Sequence, residues 1–455
     1  MSARAPAAAT APPPSDSLAL LRHPATIRAR CRAVLAAVDD ERSAWFRVDR
    51  TRLADVAARV AGLTRKRFPD LVVPPHSRWR HFEAGGVDRR RELEALLAGG
   101  SAADAARAHI DLTVVSVLLD AGAGPAWRFA DRDGQRFSRS EGLGIATLRA
   151  FMAGRFSAIA GEPLRADAGV LARLDAAALA GIFQVSTDNA MVGLEGRAAL
   201  LARLGEALAM APATAPWPQR PGQLYDRLLA RAGTGPSGGV DTRAEVGADA
   251  ASMAGGTVAA APRLTAADLL AEVLELTDGV FTQGAPVMGR GVGDVWTHRF
   301  AGSEVAGGGR DPVSGGVVPF HKLCQWLSYS LLEPLAWAGL PVDLADEVNG
   351  LTGLPEYRNG GLLLDGGVIV PRDRRLVERR FKPGDEPIVE WRALTVALLD
   401  ELAPRVRELL GCTAAELPLA SVLESGTWAA GREIALERRE GGGPPFNVDS
   451  DGTVF

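Results

Sequence analysis

Cysteine occurs three times in 455 residues, at Cys31, Cys324 and Cys412, and no two of them form a CxxC pair. That spacing argues against a disulfide framework and against structural zinc. It fits a reducing compartment, so a cytoplasmic location is expected. A lone thiol such as Cys324 is more often buried and inert than nucleophilic. Long apolar runs are missing as well: no segment approaches the roughly 18 residues that a membrane span requires. The opening MSARAPAAATAPPPSD has no apolar core of a signal peptide, and residues 1–17 read as a disordered tail. No excess of one charge is present either. The net charge is −4 and the basic residues are spread along the length, so a nucleic-acid footprint is absent. Lysine is scarce: Lys66, Lys322 and Lys382 are three of 51 basic residues, which makes each worth inspecting. A P-loop and HExxH are lacking. GRGVGDVW (Gly289–Trp296) follows no clear strand and reads as a loop rather than a dinucleotide fingerprint.

What is present is ordinary globular composition, 47% hydrophobic and 23% charged, with enough length for several domains or one large helical body. The fold class expected is all-α, with one small β-hairpin. Residues 18–231 form an N-terminal helical part, with helical patterning almost throughout from Leu18 to about Met210. Ser101 and Asp104 make a capping-box-like start for a helix that Gly122 would stop, and Met191–Met210 is a second amphipathic helix. Residues 232–262 are Gly/Ala-rich and read as a flexible insertion, leaving 263–455 as a C-terminal part. There, Gly302–Gly316 is a Gly-rich loop. Helices are expected at Val318–Trp337, Pro341–Leu351, Val389–Leu410 and Ala420–Arg438. The two apolar runs around Asp365-Gly366-Gly367 predict the hairpin, near Leu362–Val370.

Three short segments concentrate the candidate chemistry. In PFHKLCQWLSYSLLEPL (Pro319–Leu335), His321, Lys322, Gln325, Ser328 and Tyr329 fall within helical reach of one another. A solvated face is the commoner meaning of such a stripe. Here it lies among Trp326, Tyr329 and Trp337, and Lys322 offers a compact charge suited to a phosphate. In LTGLPEYRNGGLL (Leu351–Leu363), Glu356, Tyr357 and Arg358 sit on a turn; the bland alternative is a surface ion pair of little energetic weight. In VEWRALTVALLDEL, Glu390 could simply complement a helix dipole, whereas Arg392 gains nothing from that dipole. Upstream, RWRHFEAGG and HIDLTVVSVLLDAGAGPAWRF carry His81, Glu83, His109, Asp111, Asp120 and Trp127. Asp111 and Asp120, nine residues apart, would point to different faces of one helix, so no metal pair is expected from them.

With these strings in view, the sequence resembles the uracil catabolism protein four family, long described as a domain of unknown function. The likeness runs from LRHPATIRAR (Leu21–Arg30) through RWRHFEAGGVDR, GIFQVSTDNAMVGLEGRA, PFHKLCQWLSYSLLEPL and LTGLPEYRNGGLL to the terminal DGTVF. The resemblance implies a place in a pyrimidine route in which a uracil-derived ring is opened and a ribosylurea-type intermediate gives up urea. The C-terminal third is also similar in order and spacing to the queuosine-nucleotide N-glycosidases, all-helical relatives of helix-hairpin-helix DNA glycosylases. Their Lys-x-x-Gln helix, Leu-Pro…Asp-Tyr-Arg turn and Glu-x-Arg-Ala helix correspond to Lys322–Gln325, Leu354–Arg358 and Glu390–Ala393. The turn is shorter in this sequence, and Glu356 stands where that pattern has Asp.

These resemblances imply an N-glycosidase acting on a nucleotide-derived small molecule, with no cofactor or metal needed; the charge distribution and the lack of long apolar runs leave no nucleic acid or membrane partner expected. Glu356 would stabilise the oxocarbenium-like sugar, and Asp111 or Glu390 would assist departure of urea. Lys322 and Arg358 would hold a phosphate, and Arg392 would position Glu356 or the urea oxygen. Gln325 and His321 would contact substrate, while Trp127, Trp326 and Tyr357 would wall the pocket. Two other readings stay open. One is an amidohydrolase attacking the ureido carbon, which would want a metal cluster or an activated Cys or Ser. The other is a non-catalytic sensor of a uracil-derived metabolite.

Overall fold

The computed structural model describes residues 14–210, 219–233 and 264–449. Within them the protein is mostly helical, and its strands occur as five two-stranded pairs. Most of the expected insertion, and residues 1–13 of the expected tail, lie outside the described residues. A short helix, Pro14–Leu21, opens inside the segment read as tail.

The central helix, Glu386–Leu410, explains much of the packing. Every residue from Pro387 to Leu399 is buried, so it is enclosed on all sides rather than amphipathic. Pro387 suits its first turn, and Gly411 ends it in the left-handed conformation at φ 74°. Against it lie Pro24–Asp39 and Leu53–Arg67 from the N-terminal part. The second of these buries Leu53, Val56, Ala57, Val60, Ala61 and Thr64, a helical repeat, and places Arg65, Lys66 and Arg67 on its negative end. One apolar core extends from Ile27 to Phe446, so residues on both sides of the insertion share it. The helix Ala102–Leu118 starts as expected: the Ser101 hydroxyl accepts from Asp104 N at 3.1 Å. It ends at Leu118, ahead of Gly122.

Four expected elements differ in the structure, for identifiable reasons. The predicted hairpin near Leu362–Val370 is a helix, Tyr357–Asp365, followed by a strand, Ile369–Pro371. Gly366 and Gly367 form a helix stop, not a hairpin turn. Gly367 takes φ 77°, and Val368 N donates back to Leu363 O at 2.9 Å. The released strand pairs antiparallel with Phe46–Val48, over 300 residues upstream, where turn chemistry gives no clue. The helix expected at Pro341–Leu351 is absent. Its first residues, Val342–Asp343, pair in parallel with Leu264–Thr265, and the rest turns around Asp346, which accepts from Val348 N and Asn349 N. The helix expected from Val318 begins instead at Lys322, because Val317–Pro319 pairs with Val295–Thr297 across the Gly-rich loop. The helix expected at Ala420–Arg438 is divided by a π-turn at Leu423–Thr427. Among the described residues no helix is long and apolar enough to cross a membrane.

Candidate functional site

The N-terminus of the Lys322–Trp337 helix, the turn before the Tyr357–Asp365 helix and the loop Gly441–Pro444 surround a cleft of about 410 Å³. Asp120–Pro125, Arg139–Ser140, His76, His81 and Trp428 complete the lining. That volume falls within the range of small-molecule sites.

Glu356 is the residue before the first turn of its helix, with extended backbone. Its Oε2 accepts from Arg358 N at 2.7 Å and its Oε1 from Asn359 N at 2.6 Å. The sequence folds this way because an acceptor placed here satisfies amides that the helix cannot. The same two bonds fix the carboxylate in the cleft wall. Burial pushes its pKa up; the two backbone amides, Lys322 and Arg358 oppose that shift. Lys322 starts the neighbouring helix. Its backbone N donates to Asp294 Oδ2 at 2.9 Å, while its side chain joins the cleft lining. Burial lowers the pKa of its ammonium, and Glu356 and Asp120 both act in the opposite sense.

Beneath these two residues lies a rigid layer. Arg392 donates from Nη1 and Nη2 to the two oxygens of Asp294, each at 2.7 Å, and from Nε to Pro355 O at 3.3 Å. One buried guanidinium therefore ties the start of the Lys322 helix to the turn that carries Glu356. Gln325 clamps the same two segments. Its Nε2 donates to Thr352 Oγ1 at 2.7 Å and its Oε1 accepts from Thr352 N at 2.8 Å. Tyr329 adds a hydroxyl donated to Thr352 O at 2.9 Å.

Asp120 also lines the cleft, within the electrostatic reach of Lys322. Burial alone would raise its pKa, but Arg78, His81, the Ser140 hydroxyl and Lys322 together hold it below the usual carboxylate range. Arg78 Nη1 lies 3.1 Å from Asp120 Oδ1 and 2.9 Å from His81 Nδ1. Since a guanidinium can only donate, the His81 proton sits on Nε2. Burial, followed by Arg78, lowers the pKa of His81 to about 4, so this ring is neutral near pH 7.

His76 also lines the cleft and is paired with Glu424, which lies outside the lining. His76 Nδ1 lies 2.8 Å from Glu424 Oε2, and Glu424 stands on the π-turn. The Trp326 ring is 4.5 Å from that of His76 and 6.1 Å from that of His81, between centroids. Sequence reasoning missed His76 and Glu424. They are separated by 348 positions, and the only local signal, a lone His after two prolines, is too common to use.

Of the residues singled out from sequence, His81, Asp120, Lys322, Trp326, Glu356, Tyr357 and Arg358 line the cleft. The others do not, and their roles need correction. Asp111 is fully buried, accepting from Ala166 N, Gly222 N and Arg220, so it ties three segments together away from the cleft. Glu390 is enclosed between the Ser43 hydroxyl and His298, and no part of it reaches the cleft lining. Gln325 and Arg392 act from the layer beneath. Trp127 is a core residue whose Nε1 donates to Phe183 O at 2.8 Å. His321 bends the chain into its helix at φ 46° and faces a separate, small cavity beside Cys324. Burial pushes the Cys324 thiol up to about 12, so it is an inert thiol. Among the described residues, no group of three His, Cys, Asp or Glu side chains is arranged to hold a metal ion.

Comparison with known proteins agrees with the resemblance to the uracil catabolism protein four family. Protein urg3 of Schizosaccharomyces pombe is 34% identical over 447 residues, covering 97% of this chain and all of that protein. Uracil catabolism protein 4 of Lachancea kluyveri is likewise 34% identical, covering 92% of this chain and 93% of its own. Residues 20–455 match the family described as "Protein of unknown function (DUF1688)", and the chain belongs to that family.

Proposed function

We propose that this protein is an N-glycosidase of uracil catabolism, hydrolysing a ribosylurea-type, 5-phosphorylated intermediate to urea and a ribose phosphate. The name of the Lachancea kluyveri relative supplies the route. The observation that carries the chemistry is a pair of carboxylates, Glu356 and Asp120, facing one cleft with Lys322 in the field of both. Breaking a C1–N bond builds positive charge on the sugar, and a fixed carboxylate beneath the ring stabilises that charge where it develops. Glu356, held by two backbone amides, has the rigidity this requires. Asp120, held ionised by its neighbours, adds a second negative charge.

Lys322 and Arg358 take the phosphate. The Arg358 guanidinium is held by Nη1 donating to Gly442 O at 2.8 Å, and its buried Nε has no hydrogen-bond partner among the described residues, leaving a donor for an anion. Trp326, Tyr357 and Trp428 supply apolar walls. The proposal is tested by incubating the protein with ribosylurea and with its 5-phosphate and measuring free urea. Urea release, faster from the phosphate, is expected. Ligand bound and recovered unchanged would instead identify a sensor.

A further inference from the structure

The reaction just described leaves urea as a poor anion, so its departure needs a proton. The two carboxylates considered for that task from sequence, Asp111 and Glu390, lie outside the cleft. We propose that His76, oriented by Glu424, is the catalytic acid that protonates the leaving nitrogen; this rests on the N-glycosidase reading above.

Three observations converge on it. First, Glu424 Oε2 lies 2.8 Å from Nδ1 of His76, and a carboxylate there can only accept, so Nδ1 carries a hydrogen and the ring is fixed in one orientation. His76 belongs to the cleft lining, and Nε2, on the ring edge away from Glu424, is the nitrogen left for a ligand there. Second, Glu424 is itself anchored: Arg67 Nη2 donates to its Oε1 at 3.2 Å, and the π-turn at Leu423–Thr427 carries it. Such turns are frequent at functional sites. His76 N also donates to Ala420 O at 2.9 Å, tying both partners to one segment. Third, the Trp326 ring packs on the imidazole, fixing its plane. His81, the other imidazole of the cleft lining, cannot serve as well, because Arg78 on its Nδ1 disfavours the imidazolium.

In the step itself, the C1–N electron pair moves onto the leaving nitrogen, which takes the Nε2 proton of the His76 imidazolium. A water oxygen bonds to C1 and gives its proton to Glu356. Transfer of that proton to His76 through solvent restores both groups, and one water is consumed per urea released.

The test uses His76→Ala in the full-length protein, with urea release as the readout. The expected loss is about 10²- to 10⁴-fold, with folding checked by melting temperature. Added imidazole should restore part of the rate, and a 4-nitrophenyl riboside 5-phosphate, whose leaving group needs no proton, should be cleaved within about threefold of wild type. Glu424→Gln should lose less, because it removes only the orientation and charge behind the ring. Equal loss on both substrates with no response to imidazole, or no loss at all, would overturn the assignment of His76. A wild-type protein that releases no urea would overturn the N-glycosidase reading and this proposal together.

Discussion

A carboxylate at the head of a helix can close the backbone or meet a ligand, and Glu356 is placed for both. Replacement by Gln keeps the shape but removes the charge. One side-chain oxygen then serves two amides, which costs about 0.5–2 kcal/mol of capping at most. Turnover should fall roughly a hundred- to a thousand-fold with little change in binding, because the charge matters most to the cationic transition state. The pH dependence has a definite sign. The folded protein raises the pKa of Glu356, so its contribution to stability is full at low pH and is lost as pH rises through the folded value. The melting temperature of wild type relative to Glu356→Gln should therefore decline from acid toward neutral pH. A difference that grows with pH would contradict the burial argument. Lys322→Ala should behave differently, raising KM for a phosphorylated substrate and sparing an unphosphorylated one. Asp111 offers a contrast. Its removal would leave the Arg220 guanidinium and two amides without their acceptor, so Asp111→Ala should destabilise by about 3–5 kcal/mol. Wherever the variant stays folded, its KM should be unchanged.

At the scale of elements, the site depends on three segments meeting, and Arg392 is the residue that joins two of them. Arg392→Lys keeps the charge but cannot bond both Asp294 oxygens and Pro355 O in one plane. It should therefore lower both stability and kcat, since it loosens Lys322 and Glu356 together. A variant with normal kcat would show that the two hold their places independently. This layer also marks how far the sequence could be read. The Lys-x-x-Gln, Leu-Pro-Glu-Tyr-Arg and Glu-x-Arg strings located the segments that meet. They do not say which face of each helix turns to the cleft: Gln325 and Arg392, expected at substrate, belong to the layer behind it, and Glu390, expected as an acid, is enclosed between Ser43 and His298. Likewise, Leu362–Val370 was misread because Asp-Gly-Gly serves a helix stop as readily as a hairpin turn. Only the distant partner strand Phe46–Val48 decides between them. His76 and Glu424 were illegible for the same reason: their meaning lies in a contact across 348 positions.

At the scale of the whole molecule, the mostly helical character was legible from periodicity. The shared core was not, since packing of Pro24–Asp39 and Leu53–Arg67 on the Glu386–Leu410 helix leaves no local signature. The cleft is assembled from residues as far apart as His76 and Pro444, so its chemistry is a property of the folded chain rather than of its C-terminal third. The central claim is that this cleft breaks a C1–N bond using the charge of Glu356. The most direct measurement is urea released per active site from ribosylurea 5-phosphate, by wild type and by Glu356→Gln at equal substrate saturation. Multiple turnovers by wild type and a loss of at least about a hundredfold in the variant are predicted. Equal urea release by the two proteins, or none by wild type despite binding, would contradict it.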